Sequence, residues 1–121
     1  MARILVVEDA PDHADVIREI LRWAGHESLI LGLVAGVQEA LSAYAPQIVL
    51  VDLELPDGDG FQVVDAVRAT SSTADVPVVA ITGDPALERR ARNDGRIALV
   101  CPKPCDLLLA LSVILGSGLI D

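Results

Sequence analysis

The segment from Ile48 to Asp52 is four apolar residues followed by one carboxylate, and it narrows the possible folds sharply. A run that is apolar on both faces fits a strand in the middle of a parallel sheet with helices on each side. Pro56, Gly58 and Gly60 follow, and they predict a turn rather than a longer strand. Because sites in open α/β sheets lie just beyond the carboxyl ends of the strands, Asp52 is the first candidate functional residue.

Short apolar segments alternate with helical patterns along the whole chain. The predicted strands cover residues 3–7, 27–31, 48–52, 76–82 and 97–101, and the predicted helices follow them, the last two over residues 85–93 and 106–115. This alternation predicts an α/β fold, a doubly wound five-stranded parallel sheet with five helices. Right-handed crossovers and the apolar third strand favour the strand order 2-1-3-4-5.

Length and charge limit the functions that such a domain can have. The 121 residues suit one domain covering residues 1–121, and a hydrophobic content of 52% excludes a disordered chain. A net charge of −9 argues against nucleic acid or an anionic membrane as a direct partner. The longest apolar stretch, residues 107–115, is too short to span a bilayer, so we expect a cytoplasmic domain. Residues 116–118 suggest either a tail or a connection, so the domain could stand alone or come from a longer protein.

Polar side chains fall where the central strands should end. They are Glu8 and Asp9 after the first strand, Asp52 in the third, Thr82 in the fourth, and Lys103 after the fifth. Carboxylates that converge in this way repel one another unless protons or a cation relieve them. Oxygen-only ligands favour a hard cation, Mg²⁺ before Ca²⁺. A carboxylate beside Mg²⁺, flanked by an ammonium and a hydroxyl, suits phosphoryl transfer to Asp52.

Four blocks in this order resemble the signature of two-component response-regulator receiver domains, which are CheY-like. The blocks are residues 6–9, residues 52–60, residues 81–83, and Lys103 with Pro104. The resemblance covers essentially the whole chain, and four agreeing blocks are far more specific than any one of them. It implies a flavodoxin-like fold and a cis bond between Lys103 and Pro104. It also implies a signalling phosphoacceptor, rather than an enzyme, that assists its own phosphorylation and dephosphorylation.

The same resemblance implies a role for each site residue. Asp52 would receive its phosphoryl group from a phosphohistidine on a sensor histidine kinase or a histidine phosphotransfer protein. Asp9 and Asp52 would bind Mg²⁺, with Glu8 assisting through a water molecule and the backbone carbonyl of Glu54 as a further ligand. The phosphoryl oxygens would be contacted by two further side chains, those of Thr82 and Lys103.

The sequence departs from this family at Val100. Receiver domains usually carry an aromatic residue three positions before the lysine, and its ring moves inward when the threonine shifts. A valine is stiff and short, so we expect the signal to pass through residues 83–85 and the fourth helix. The fifth helix is apolar on nearly every face, which predicts a homodimer or docking surface formed by the fourth helix, fifth strand and fifth helix.

Three other functions stay open at this point. A haloacid-dehalogenase-like phosphatase also uses a strand-end aspartate and Mg²⁺, but it needs a second aspartate where this chain has Glu54. A degenerate receiver would bind partners without phosphorylation, although every acceptor-site residue is present. A small-molecule binder of the flavodoxin type is less favoured, because no phosphate-binding loop rich in serine, threonine and glycine follows the first strand.

Several other polar residues predict ordinary structural roles. We expect Asp12, Asp57 and Asp59 to be helix caps or solvated loop residues. Cys101 and Cys105 are expected to be small core residues, because neither a zinc site nor a disulfide is expected for an isolated pair in a cytosolic domain. The arginines at positions 89, 92 and 96 are expected to form a solvated stripe rather than a docking surface.

Overall fold

A computed structural model describes residues 1–116, in which the five strands of the main sheet alternate with five α-helices. The strands are β1 (Arg3–Val7), β2 (Glu27–Leu31), β3 (Ile48–Asp52), β4 (Val78–Thr82) and β5 (Leu99–Pro102). The helices are α1 (Pro11–Trp23), α2 (Val37–Tyr44), α3 (Gly60–Ala69), α4 (Pro85–Arg92) and α5 (Leu107–Gly116). Most of the predicted tail or connection at residues 116–118 lies outside the described residues.

The five strands form one parallel sheet in the order β2-β1-β3-β4-β5, as the sequence predicts. All five residues of β3 are buried, which agrees with its central position. β4 and β5 begin two residues later than predicted. The N–H of Ile97 donates to the carbonyl of Asp94 within the preceding turn, and Pro77 has no N–H to donate. Apolar character continues through these positions, whereas the registered strand pairs begin at Val78 and Leu99.

Each face of the sheet is covered by its own core. Alternate residues of β1 and β3 point to opposite faces, so that Leu5 and Val49 belong to one buried cluster while Ile4 and Leu50 belong to the other. The first cluster includes residues of α2, α3 and α4, and the second includes residues of α1 and α5. This is the doubly wound arrangement expected for strands that are apolar on both sides. No helix within residues 1–116 has the length and apolar character needed to cross a membrane.

The turn after β3 is more ordered than the sequence suggests. Residues 54–55 and 58–59 form a two-residue antiparallel pair. Asp59 caps α3 through a capping box with Gln62, and the Asp57 carboxylate accepts hydrogen bonds from the backbone of residues 34 and 35. The structural roles predicted for these two acids are therefore confirmed. Gly60 begins α3 so close to the chain that a Cβ there would lie 2.9 Å from the carbonyl oxygen of Asp52.

The prediction for the two cysteines is wrong. Cys101 and Cys105 are joined by a disulfide, and their Cα atoms lie 5.4 Å apart. Both side chains are partly exposed rather than fully buried, although Cys101 also packs against the core cluster beneath α5. Compartment and spacing both disfavour this bond, whereas the path of the chain between β5 and α5 decides which side chains meet. The expected cis bond between Lys103 and Pro104 is present.

Candidate functional site

The register of the central strands brings three polar side chains to one edge of the sheet. Val7 pairs with Val51, so that Glu8 lies beside Asp52, and Asp52 in turn pairs with the residue before Thr82. Glu8, Asp52 and Thr82 are 5%, 3% and 0% exposed. Buried polar side chains need partners, so the contacts at this edge determine what the site can do.

The main partner of Asp52 is Lys103. The Nζ of Lys103 lies 2.9 Å from Oδ2 of Asp52, while Oδ1 accepts a hydrogen bond of 2.8 Å from the backbone N–H of Glu54. The backbone N–H of Lys103 donates to the carbonyl of Thr82 over 2.9 Å, which fixes the start of the loop. Burial lowers the pKa of Lys103, but the hydrogen bond and charge of Asp52, with the charges of Glu8 and Glu54, outweigh burial and raise it. Lys103 is therefore an ammonium ion at neutral pH.

Three carboxylates lie close together beside this single ammonium. One ligand oxygen from each of Glu8, Asp9 and Asp52 lies within 4.8 Å of the others. Burial raises the pKa of Glu8, and the charge of Asp52 adds to this, although the N–H of Ala10 and the ammonium of Lys103 oppose the rise. Asp9 is exposed at the mouth of the site. A compact set of hard oxygen donors with more negative than positive charge fits a small divalent cation.

The side chain of Glu54 reaches an unexpected position beside Asp52. Its Oε2 accepts hydrogen bonds of 3.3 Å from the hydroxyl of Thr82 and of 3.3 Å from the backbone N–H of Gly83. The same oxygen lies 3.9 Å from Nζ of Lys103. A hydroxyl, an amide and an ammonium thus surround one carboxylate oxygen, so this side of Asp52 is an anion-binding position.

From the sequence, Glu54 is expected to contribute only its backbone carbonyl. The signal that could have revealed the side chain is its place two residues after a strand-end aspartate, where the turn directs it back over the same sheet edge. A second missed signal is that Lys103 is the only lysine of the chain. The other eight members of its lysine and arginine set are arginines, and the one lysine lies beside the buried aspartate.

A groove of about 520 Å³ opens next to this site, between α1 and the loop that joins β5 to α5. Its polar lining comes from Glu8, His13 and Lys103, and Nδ1 of His13 lies 3.9 Å from Glu8. Apolar side chains such as Ile17 and Ile20 line the rest of the groove. The buried Glu8 carboxylate and the side chain of Lys103 can therefore be approached from solvent on the side of α1.

The structure brings all the predicted site side chains together. Those of Glu8, Asp9, Asp52, Thr82 and Lys103 lie at one edge, as the strand order requires. The arrangement offers a buried carboxylate as nucleophile, an acidic group able to hold a cation, and donors for an anion. These are the requirements for accepting a phosphoryl group on a side-chain oxygen.

Comparison with known proteins agrees with this chemistry. Residues 4–107 match the family model for the response regulator receiver domain. The chain is 36% identical over 84 residues to the DNA-binding dual master transcriptional regulator RpaA of Synechocystis, covering 68% of this chain and 34% of that protein. It is 36% identical over 80 residues to the DNA-binding response regulator MtrA of Mycolicibacterium smegmatis, covering 66% of this chain and 34% of MtrA. The chain thus spans about a third of the length of these curated relatives.

Solved structures show the same fold over nearly the whole chain. A putative response regulator from Chloroflexus aurantiacus superposes with a TM-score of 0.84 at 23% identity, covering 95% of this chain and 98% of that one. A sensor protein from Polaromonas gives a TM-score of 0.81 at 30% identity, covering 97% and 94%. The receiver domain of a sensor histidine kinase from Pseudomonas aeruginosa gives 0.83 at 24%, covering 95% and 98%, and that structure has a magnesium ion coordinated in its active-site cleft.

The matched region begins in β1 and ends at the start of α5, so it includes every strand of the sheet and all the site residues described above. The sheet order and the polar edge agree with it. The chain belongs to the response-regulator receiver domains, the signalling phosphoacceptors of two-component systems.

Proposed function

We propose that Asp52 accepts a phosphoryl group from a phosphohistidine of a sensor histidine kinase or a histidine phosphotransfer protein. The observation that carries this proposal is the buried Asp52 carboxylate, held 2.9 Å from the ammonium of the only lysine. A carboxylate oxygen forms a bond to phosphorus as the bond from phosphorus to the histidine nitrogen breaks. The family match favours this function over a haloacid-dehalogenase-like phosphatase or a flavodoxin-type binder, and the complete site favours it over a degenerate receiver.

Lys103 and Thr82 are the residues proposed to stabilise the charge that develops during this transfer. The ammonium of Lys103 already touches Asp52, and the Thr82 hydroxyl lies on the same side, against the Glu54 carboxylate. Both would donate to the phosphoryl oxygens, and such preorganised donors lower the barrier most. The same donors support attack by water on the acyl phosphate, so the domain would assist both its phosphorylation and its dephosphorylation.

Magnesium is the cofactor proposed for the acidic group. Asp9 and Asp52 would bind it directly, Glu8 through a water molecule, and the backbone carbonyl of Glu54 as a further ligand. When bound, Mg²⁺ would offset charge on the phosphoryl oxygens during transfer. The chain itself positions the metal ligands, because the side chains of Glu8 and Asp52 are buried just after β1 and at the end of β3.

The proposed function is tested by incubation with a small phosphodonor such as acetyl phosphate, with Mg²⁺ and with a chelator. Intact-mass analysis should show one added phosphoryl group that depends on Mg²⁺ and is lost in alkali, as acyl phosphates are. Absence of any added group, with this donor and with a phosphorylated histidine phosphotransfer protein, would refute the proposal.

Magnesium should raise the melting temperature of the unmodified domain. The empty site is strained by repulsion among Glu8, Asp9 and Asp52, and a ligand specific to the folded state stabilises it. The increase should be larger at pH 8 than at pH 5, because the raised pKa of Glu8 makes protons compete with the metal at low pH. Thermal melts in millimolar Mg²⁺, a range typical of weak oxygen sites, would measure it. Asp9→Asn should remove most of the shift, and identical melts with and without Mg²⁺ would show that the acids form no metal site.

Replacing Glu54 by glutamine should speed phosphorylation severalfold. The Glu54 carboxylate holds the Thr82 hydroxyl and the Gly83 amide and lies near Lys103, so it occupies the position of an incoming phosphoryl oxygen. Removing its charge weakens this competing contact, since hydrogen bonds to charged groups are about twice as strong as neutral ones. Initial rates with acetyl phosphate would be compared with Glu39→Gln, which removes an acid from the exposed face of α2. Equal rates in the wild type and both variants would mean that moving the Glu54 carboxylate out of the site costs no free energy.

The signal from Thr82 has a direct route to α4. The Thr82 hydroxyl accepts a hydrogen bond of 3.0 Å from the N–H of Asp84, and the Asp84 carboxylate caps α4 through two backbone N–H groups. Val100, in place of an aromatic residue, is 9% exposed within the core cluster beneath α4. A shift of Thr82 towards a phosphoryl group would therefore move the start of α4, as proposed from the sequence.

Self-association through α4, β5 and α5 is the proposed output. Four side chains of α5 are large, apolar and exposed: Leu108, Leu109, Val113 and Leu115. No charged residue lies between residues 107 and 116, so the outer face of α5 lacks the polar side chains typical of a solvated helix. A second copy of the chain, related by a twofold axis, would cover this face.

Phosphorylation should shift the domain from monomer towards dimer, and Leu109→Glu should prevent this. A buried glutamate would be desolvated without a partner, which is costly. Sedimentation of both forms of the wild type and the variant would measure the effect. Leu33→Glu is the matched control, because Leu33 is 47% exposed and follows β2, at the opposite edge of the sheet. A wild type that stays monomeric in both states would exclude the dimer.

We also propose that the domain acts in the cytoplasm, where it would meet the catalytic part of a histidine kinase. The net charge of −9 makes direct binding of nucleic acid or an anionic membrane unfavourable for residues 1–121. The matched segment is about a third of each DNA-binding relative, so their DNA-binding activity need not lie in the region they share with this chain.

A further inference from the structure

The only two cysteines of the chain flank the start of the loop between β5 and α5, and they are bonded to each other. Cys101 lies in β5 and Cys105 lies just before α5, four positions further on. Lys103 is the middle residue of the ring that the disulfide closes. The cross-link therefore encloses the one residue whose ammonium holds Asp52.

Few other contacts hold this loop. Pro102 and Pro104 have no backbone N–H, so they cannot donate to the sheet or to the site. The N–H of Lys103 donates to the carbonyl of Thr82, which fixes the loop on the β5 side. The disulfide ties the α5 side of the loop back to the strand. Opening it would leave Lys103 on a segment held by β5 at one end and by the buried Leu107 of α5 at the other, without the cross-link between them.

The disulfide between Cys101 and Cys105 should contribute little to the stability of the whole fold. A disulfide stabilises mainly by restricting the unfolded chain, and the effect is smallest for a short loop. In the cytoplasm, where this domain is proposed to act, lasting structural disulfides are rare and the observed ones are mostly catalytic or redox-sensing. Both cysteines are partly exposed, and Cys105 lines the groove beside Glu8 and Lys103, so a thiol can approach the bond.

We propose that Cys101 and Cys105 form a reversible redox switch that sets the position of Lys103, and through it the rate at which Asp52 gains and loses a phosphoryl group. This inference rests on the proposed function of Asp52 and Lys103. The oxidised pair holds the Lys103 ammonium on Asp52, and the reduced pair releases it. The domain would then respond both to its kinase and to the thiol balance of its surroundings.

The chemistry is thiol–disulfide exchange with a dithiol as reductant. A thiolate of the reductant attacks one sulfur of the pair, the Cys101–Cys105 bond breaks, and a mixed disulfide forms. The second thiol of the reductant then releases the protein sulfur and becomes a cyclic or protein disulfide. The protein gains two electrons and two protons as two thiols, and the reductant loses them. Glutathione disulfide reverses the reaction in two exchanges that release two molecules of glutathione.

The test compares the oxidised and reduced wild-type protein. Alkylation followed by intact mass counts the free thiols, which should be none after glutathione disulfide and two after dithiothreitol. Initial rates of phosphorylation by acetyl phosphate should then be about tenfold lower in the reduced form, because a displacement of about 1 Å in a positioned group can cost up to about a hundredfold. Thermal melts of both forms would confirm that each is folded at the assay temperature.

A second measurement reports on Lys103 without any phosphorylation. Lys103 carries the only side-chain amine, so acetylation by a succinimidyl ester can be located there and timed by peptide mass. The reduced form should react faster, because its ammonium is no longer held by Asp52. The double variant Cys101→Ser, Cys105→Ser should match the reduced wild type in phosphorylation rate and in Lys103 reactivity. Dithiothreitol should change neither value in this variant. In a Lys103→Ala background the redox state should no longer change the phosphorylation rate, whereas general loosening of the fold would still lower it.

The outcomes separate this inference from the proposed function. Equal phosphorylation rates and equal Lys103 reactivity in the two redox forms would overturn the switch and leave the proposed function standing. Two free thiols that persist after glutathione disulfide would also overturn it. Failure of both forms to accept a phosphoryl group, despite a redox-dependent Lys103, would overturn the proposed function and the control of phosphorylation with it.

Discussion

Replacement of Asp52 by asparagine should abolish phosphorylation of this domain. The variant keeps the size and hydrogen-bonding capacity of the side chain but removes the carboxylate oxygen that must bond to phosphorus. Loss of a nucleophile typically costs several orders of magnitude in rate, so labelling should fall by at least about a thousandfold. Incorporation from acetyl phosphate, or from a phosphorylated histidine phosphotransfer protein, would be followed by intact mass.

A neighbouring acid supplies the matched control. Asp57 lies in the turn after β3, but its carboxylate binds the backbone of residues 34 and 35 rather than Lys103. Asp57→Asn should therefore be phosphorylated at nearly the wild-type rate. Undiminished labelling of the Asp52 variant would show that another group is the acceptor, and peptide mass mapping would identify it.

The fold could be predicted because its strands are apolar on both faces and its turns have clear residue signals. The Ile48–Asp52 segment alone requires a covered, central strand, and the order of the other strands follows from right-handed crossovers. The errors concern boundaries. The start of β5 depends on which carbonyl the N–H of Ile97 meets, and that partner lies in a turn rather than on a neighbouring strand.

The site residues could be predicted because they lie at the ends of adjacent parallel strands. Local sequence could not reveal contacts between side chains from different loops. The approach of the Glu54 carboxylate to Thr82 and Gly83 depends on the turn after β3, where a two-residue antiparallel pair lies. The disulfide depends likewise on the path of the chain from β5 to α5, which spacing alone leaves undetermined.

These two contacts both concern Lys103, and each acts on it differently. Glu54 is an anion that competes for the same donors as a phosphoryl group, while the disulfide limits where the loop of Lys103 can move. The position of one ammonium is therefore the property on which the proposed rates most depend.

Replacement of Lys103 by alanine should slow phosphorylation by about a hundredfold or more, the usual cost of removing one charge-stabilising donor. The same variant should gain more thermal stability from Mg²⁺ than the wild type. Without the ammonium 2.9 Å from Asp52, the acidic group has lost its nearest positive charge and should bind a divalent cation more tightly.

Lys103→Ala should lower the phosphorylation rate and raise the stabilisation by Mg²⁺, and these opposite effects make the test specific. Arg89→Ala is the control, because it removes one positive charge from an exposed position on α4. That variant should match the wild type in rate and in Mg²⁺-dependent melting. A Lys103→Ala protein whose rate falls while its response to Mg²⁺ stays the same would place the lysine away from the metal site. A Lys103→Ala protein whose phosphorylation rate does not fall would show that Lys103 takes no part in phosphoryl transfer.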